Sequence, residues 1–140
     1  MMRWLLALVL VLTMSVGVQA TTLQALLVRA TNDSPSDAAL KELQPQLKRQ
    51  FGYPSYRLLG SKHEVLKPKT SSHMDVGEGF VVKATLKSSK NHIHELDIQW
   101  LSGKTKLMAT TVKMSEGSHV LVKGPGVGND WIVLALSILP

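Results

Sequence analysis

His92 and His94 are the residues whose types and spacing come closest to a chemical site in this sequence. On a strand, residues two apart share a face and lie about 7 Å apart, a spacing that suits a metal ion. Catalytic zinc takes three protein ligands and structural zinc four, yet Glu95 and Asp97 would point to the opposite face. We favour two solvent-facing or core-edge histidines beside a hairpin loop, and keep a metal-dependent hydrolase with a His-based site as an alternative.

The glycine-rich segment 124–128 is the second candidate, because glycines can cradle a phosphate. That chemistry needs a helix N-terminus behind the glycines, with Lys and Ser or Thr at fixed offsets. Here an apolar strand follows, which favours a hairpin loop. No serine lies in a nucleophile elbow, and the absence of cysteine excludes thiolate chemistry. The sequence therefore predicts no catalytic, cofactor-binding or metal-binding residue and no cofactor. It favours a non-catalytic role over a catalytic one.

The first twenty residues have the pattern of a secretory signal peptide. Arg3 precedes an apolar run that ends at Val18-Gln19-Ala20, which resembles a cleavage site. The run is shorter than the roughly 17–25 residues of a membrane-spanning helix. We expect a signal peptide over residues 1–20, one exported domain over 21–140, no transmembrane span after cleavage, and a periplasmic or extracellular location in a bacterium.

Charge restricts the partners of the exported domain. Loss of Arg3 lowers the formal net charge from +6 to +5, and the lysines are scattered along the chain. Scattered charge favours a solvated basic surface over a dedicated anion-binding patch. Single-strand nucleic-acid binding also needs exposed aromatic side chains, and only six aromatics lie beyond residue 20. This argues against nucleic acid and leaves an envelope protein or an anionic polymer as the partner.

The element that organises the fold is the apolar run 131–139, rich in β-branched residues on both faces. Such a strand must be covered on both sides, so we place it at the centre of a sheet. Residues 23–31 predict a first strand. Ser34 and Asp37 then resemble a capping box for a helix that Pro45 should kink or break. Its apolar stripe should cover the sheet, and it comprises Leu40, Leu43, Leu47 and Phe51.

A hairpin over residues 80–100 can be predicted to its register. Its inward-facing residues recur at period two, and they are Phe80, Val82, Ala84, Leu86, His94, Leu96, Ile98 and Trp100. With a three-residue loop over 89–91, Phe80 would oppose Trp100, and Lys83 would lie opposite Asp97 on the outer face.

The other segments predict further strands. Residues 55–66 should form a strand with a bulge or bend at Gly60, and residues 67–79 a loop with at most one short edge strand. Residues 106–114 should form a strand, and either its odd-numbered or its even-numbered residues could face inward. Residues 120–123 should form a short strand. Together these elements predict an α+β fold: an antiparallel β-meander sheet with one covering helix near the N-terminus. The alternative is a β-sandwich or barrel with a peripheral helix.

Several of these segments together resemble a family of small proteins that carry signal peptides, found in Verrucomicrobia and related bacteria. The resemblance is carried by 56–60, by 96–100, and by the ending from Glu116-Gly117 through 121–125 to 131–136. It covers most of the chain beyond residue 20, through motifs that are structural turns and strands. It implies an exported, β-rich domain and assigns no catalytic residue.

These observations favour an exported, non-catalytic binding or accessory module of the cell envelope. A binder of anionic polymer or of a membrane surface is the further alternative, because the net charge is positive.

Overall fold

The computed structural model describes residues 21–33 and 35–140, most of which lie in strands. The predicted signal peptide and Ser34 lie outside the described residues. The elements are β1 (Thr21–Thr31), a 3-10 turn (Ala38–Leu40), α1 (Gln44–Phe51), β2 (Ser55–Leu66), β3 (Ser71–Gly77), β4 (Phe80–Lys90), β5 (Ile93–Ser102), β6 (Thr105–Ser115), β7 (His119–Val127) and β8 (Asp130–Leu139).

The strands form two four-stranded antiparallel sheets, with orders β2-β1-β8-β7 and β3-β4-β5-β6. The predicted β-rich antiparallel fold is confirmed, but the strands do not form the single sheet that was expected. Buried side chains of both sheets form one cluster between them, the inter-sheet core, which includes Leu27, Val82, Ile98, Trp100 and Leu134. An eight-residue helix is too short to cover so much apolar surface, so each sheet buries one face against the other.

The apolar run near the C-terminus is an interior strand, as predicted. β8 lies between β1 and β7, and Val133 and Leu134 are both fully buried. Leu134 belongs to the inter-sheet core, whereas Val133 packs on the opposite face of the same sheet. This second cluster, the helix-side core, consists of Val28, Ala30, Leu40, Leu43, Leu47, Tyr56, Leu121, Val133 and Ala135.

The helical segment is broken where Pro45 predicted. A 3-10 turn precedes α1, and Pro45 lies at the start of α1. Backbone N–H groups in the first turn of a helix have no partner within the helix, so the missing N–H of Pro45 costs no hydrogen bond there. Asp37 does not cap the turn through its side chain. Instead its Oδ2 accepts a hydrogen bond of 2.7 Å from the backbone N–H of Leu58, which fastens the segment to β2.

The β4–β5 hairpin has the predicted faces but a different register. Phe80 pairs with Ser102, two residues from the predicted partner, and Lys83 pairs with Gln99, so the predicted cross-strand pair of Lys83 and Asp97 is wrong. The turn is a two-residue one at 91–92, both residues having positive φ. A two-residue turn alone would pair inward-facing residues of β4 with outward-facing residues of β5. The extra residue Lys87 shifts the register by one position, so that inward-facing residues pair with each other again.

The last hairpins settle two further points. In β6 the even-numbered face is the inward one, since Met108, Val112 and Met114 pack in or against the inter-sheet core. The predicted short strand 120–123 is longer, because β7 continues to Val127 and only the turn at 128–129 separates it from β8.

The edge strand expected within 67–79 is β3.

Candidate functional site

The two histidines of the alternative metal site do not share a strand face. His92 lies in the β4–β5 turn with φ of 63°, outside the strand, while His94 is buried on β5. The Nδ1 of His94 is 2.8 Å from the hydroxyl of Ser89. Within residues 21–33 and 35–140, no group of three or more His, Asp or Glu side chains has the geometry to hold a metal ion. The spacing argument failed because the strand begins one residue later than expected.

A more promising arrangement lies where β1 ends and β2 and β8 begin. There an open cleft of about 460 Å³ is lined by Arg29, Thr31, Asp33, Arg57, Leu58, Leu59 and Asp130. It contains two guanidinium groups and two carboxylates. We call it the two-arginine cleft.

Strand alternation places Arg29 in this cleft. Leu23, Ala25 and Leu27 of β1 point into the inter-sheet core, and Arg29 continues the same face one step beyond it. Asp130 stands in the same relation to Ile132 at the start of β8. The core face of the first sheet thus changes from apolar to charged at this end.

Arg57 reaches the same face because β2 carries a bulge. Leu27 pairs with Gly60, but Val28 pairs with Leu58, so Leu59 is an extra residue in β2. The shift places Arg57 directly opposite Arg29; a regular register would have turned it to the other face. The sequence predicted a bulge or bend at Gly60, and the structure places the extra residue one position earlier.

Gly60 is required beside this bulge for a separate reason. A Cβ at position 60 would overlap the backbone carbonyl oxygen of Val76, because β3 crosses β2 there at very short range. Only glycine allows this approach. The same close crossing therefore fixes the part of β2 that presents Arg57.

Asp130 holds one of the two arginines. Its Oδ2 accepts a hydrogen bond of 2.7 Å from Arg29 Nε, and its side chain is only 10% exposed, compared with 38% for Arg29. The bond occupies Nε and leaves the terminal nitrogens of Arg29 for other partners. In the part of the chain that the structure describes, the guanidinium of Arg57 has no ion-pair partner and is exposed.

The inter-sheet core contains a closely packed tryptophan. Trp100 is fully buried, its ring lies 5.6 Å from that of Phe80, and Gly124 lies against it so closely that a Cβ would overlap the indole. The indole N–H of Trp100 has no partner among the described residues.

The second sequence candidate, the glycine-rich segment, has become part of a hairpin. Residues 124–127 lie in β7, where Lys123 Nζ stands 3.9 Å from the centre of the Trp131 ring. No helix follows these glycines, so they do not form a phosphate cradle of that type.

Sequence reasoning missed the two-arginine cleft. Its members lie far apart in the chain, and Arg29 and Arg57 share a face only because of an irregularity in β2. Arg29, the one charged residue of the first strand, was the available signal.

Comparison with known proteins returned no match, whether to a protein family, to a curated protein or to a solved structure. Among the helices that the structure describes, none is long and apolar enough to cross a membrane.

Proposed function

We propose that this protein is an exported, non-catalytic binding module of the bacterial cell envelope, and that its two-arginine cleft binds a compact anionic group. The export part of the proposal rests on the signal-peptide pattern of residues 1–20. The binding part rests on Arg57, a guanidinium opposite a second guanidinium and without a carboxylate of its own in the described chain.

Two like charges directly opposite each other on a sheet are unfavourable unless something neutralises them. Asp130 pairs with Arg29, Asp33 lines the cleft without an ion pair in the described chain, and an anionic ligand would pair with Arg57. Guanidinium groups form paired, charge-assisted hydrogen bonds with anionic oxygens, so such a ligand would be held in a defined orientation.

Export can be tested by producing the protein with its own N-terminus in a bacterium and measuring the intact mass of the purified product. We expect a chain that starts at Thr21. A product that keeps residues 1–20 and remains in the cytoplasm would refute the export part of the proposal.

Binding can be tested by following backbone NMR shifts of the purified protein while acetate is added at low ionic strength. We expect shifts at β1, β2 and β8 around the cleft, lost in Arg57→Gln and weakened by added salt. Arg49→Gln is the matched control, because Arg49 is an exposed arginine on α1 whose Nε bonds only to its own helix within the described chain. Equal responses of the two variants would contradict a specific site.

A further inference from the structure

We infer that the two-arginine cleft selects a singly charged carboxylate over a doubly charged phosphate. This inference rests on the proposed function, since it names the ligand class of the same site. The charge balance of the cleft supports this preference, and the way its guanidinium groups are held indicates how a carboxylate would be bound.

The charge balance of the cleft is neutral. Arg29 and Arg57 contribute two positive charges, and Asp33 and Asp130 contribute two negative charges. The attraction of a ligand to such a site grows in proportion to the charge of the ligand. Its desolvation cost grows with the square of that charge, so from a monoanion to a dianion the desolvation cost rises faster than the attraction.

The geometry of the guanidinium groups also suits a carboxylate. Asp130 binds Arg29 through Nε, and Arg57 pairs with Arg29 on the neighbouring strand. A planar carboxylate matches the fork of one guanidinium with two parallel hydrogen bonds. The terminal nitrogens of the second arginine can then donate a hydrogen bond to the remaining lone pair of one carboxylate oxygen.

The two-arginine cleft lies at the end of the first sheet, beyond the apolar residues of the inter-sheet core. A ligand would therefore enter from solvent with its carboxylate directed at the guanidinium groups. A peptide C-terminus and an acidic sugar both present a carboxylate in this way.

The experiment compares four probes by NMR titration of the full purified protein at pH 8. The probes are acetyl-dialanine with a free C-terminus, the same peptide amidated, glucuronate, and methyl phosphate, which is a dianion at this pH. We expect the free peptide acid or glucuronate to bind at the cleft. The one that binds more tightly identifies the source of the carboxylate. The amidated peptide should bind roughly tenfold more weakly than the acid, and methyl phosphate more weakly than the stronger carboxylate.

Two substitutions separate shape from charge. Arg57→Lys keeps the charge and removes the fork, which can bind either oxyanion, so the affinity for the carboxylate should fall by about tenfold and the affinity for methyl phosphate should fall as well. Asp33→Asn removes a rim carboxylate that makes no ion pair within the described chain, and it should improve methyl phosphate binding more than carboxylate binding. An Arg57→Lys protein with unchanged carboxylate affinity would contradict the geometric argument.

The outcomes distinguish this inference from the proposed function. Tighter binding of methyl phosphate than of any carboxylate, still dependent on Arg57, would overturn the carboxylate inference and leave the anion-binding proposal intact. If no anion shifts the cleft resonances, both the carboxylate inference and the anion-binding part of the proposed function are wrong.

Discussion

The close crossing of β2 and β3 predicts that alanine at position 60 will both destabilise the fold and disturb the two-arginine cleft. The new Cβ would overlap the carbonyl oxygen of Val76, a backbone atom that cannot rotate away as a side chain could. The two strands must therefore separate. Overpacked sites typically cost about 1–3 kcal/mol, and a backbone overlap belongs at the upper end, so we expect a loss of about 3 kcal/mol.

Two other strand glycines serve as controls for Gly60→Ala. A Cβ at Gly126 would meet the Trp131 ring at 3.4 Å, an ordinary contact. Gly126→Ala should therefore change the free energy of unfolding by less than about 0.5 kcal/mol, partly because alanine restricts the unfolded chain. A Cβ at Gly124 would overlap the buried ring of Trp100, so Gly124→Ala should cost about 2 kcal/mol without moving β2.

Thermal melts followed by circular dichroism measure this series, and each kcal/mol should lower the melting temperature by about 4 °C in a domain of this size. Gly60→Ala should melt about 12 °C below wild type. It should also lose the acetate response of the cleft, whereas Gly124→Ala should keep it. A Gly60→Ala protein that melts within about 2 °C of wild type would show that β3 does not constrain β2 as described.

Three further predictions concern the core and the β2 connection. Val133→Asp and Leu134→Asp should each abolish cooperative melting, because both side chains are fully buried on opposite faces of one strand. Asp37→Ala should lower the free energy of unfolding in urea by about 1–3 kcal/mol, because a backbone donor on β2 loses its charged acceptor. Desolvation by burial raises the pKa of the Tyr56 hydroxyl above its ordinary 10.0, so the folded state holds that proton more tightly than the unfolded state. Stability should be unaffected by this group below pH 10.0 and should fall as pH rises above it, a loss that urea melts of Tyr56→Phe should not show.

Each of these predictions has a result that contradicts it. A Val133→Asp protein that still unfolds cooperatively near the wild-type melting temperature would mean that the helix-side core is accessible to solvent. For Asp37, the matched control is Asp33→Ala, an exposed carboxylate that accepts no hydrogen bond within the described chain, and equal effects would remove the role assigned to Asp37. An identical alkaline loss in wild type and Tyr56→Phe would point to a different titrating group.

Local patterns in the sequence determined the elements of this protein. Alternation fixed the inward faces of β4 and β5, the doubly apolar run fixed β8 as an interior strand, and Pro45 fixed where the helix begins. These properties follow from side-chain periodicity and from the missing N–H of proline, which act over a few residues. The predicted signal peptide and the proposed location also rest on local pattern alone.

Tertiary structure decided the register, the pairing of the sheets and the cleft. The two-residue turn at 91–92 and a single extra residue in β4 together moved the hairpin register by two positions, and an extra residue in β2 brought Arg57 opposite Arg29. The number of sheets depended on how much apolar surface one short helix can cover. Bulges and close crossings are set by packing between segments that are distant in the chain, as between Gly60 and Val76, so the alternation within either segment contains no sign of them.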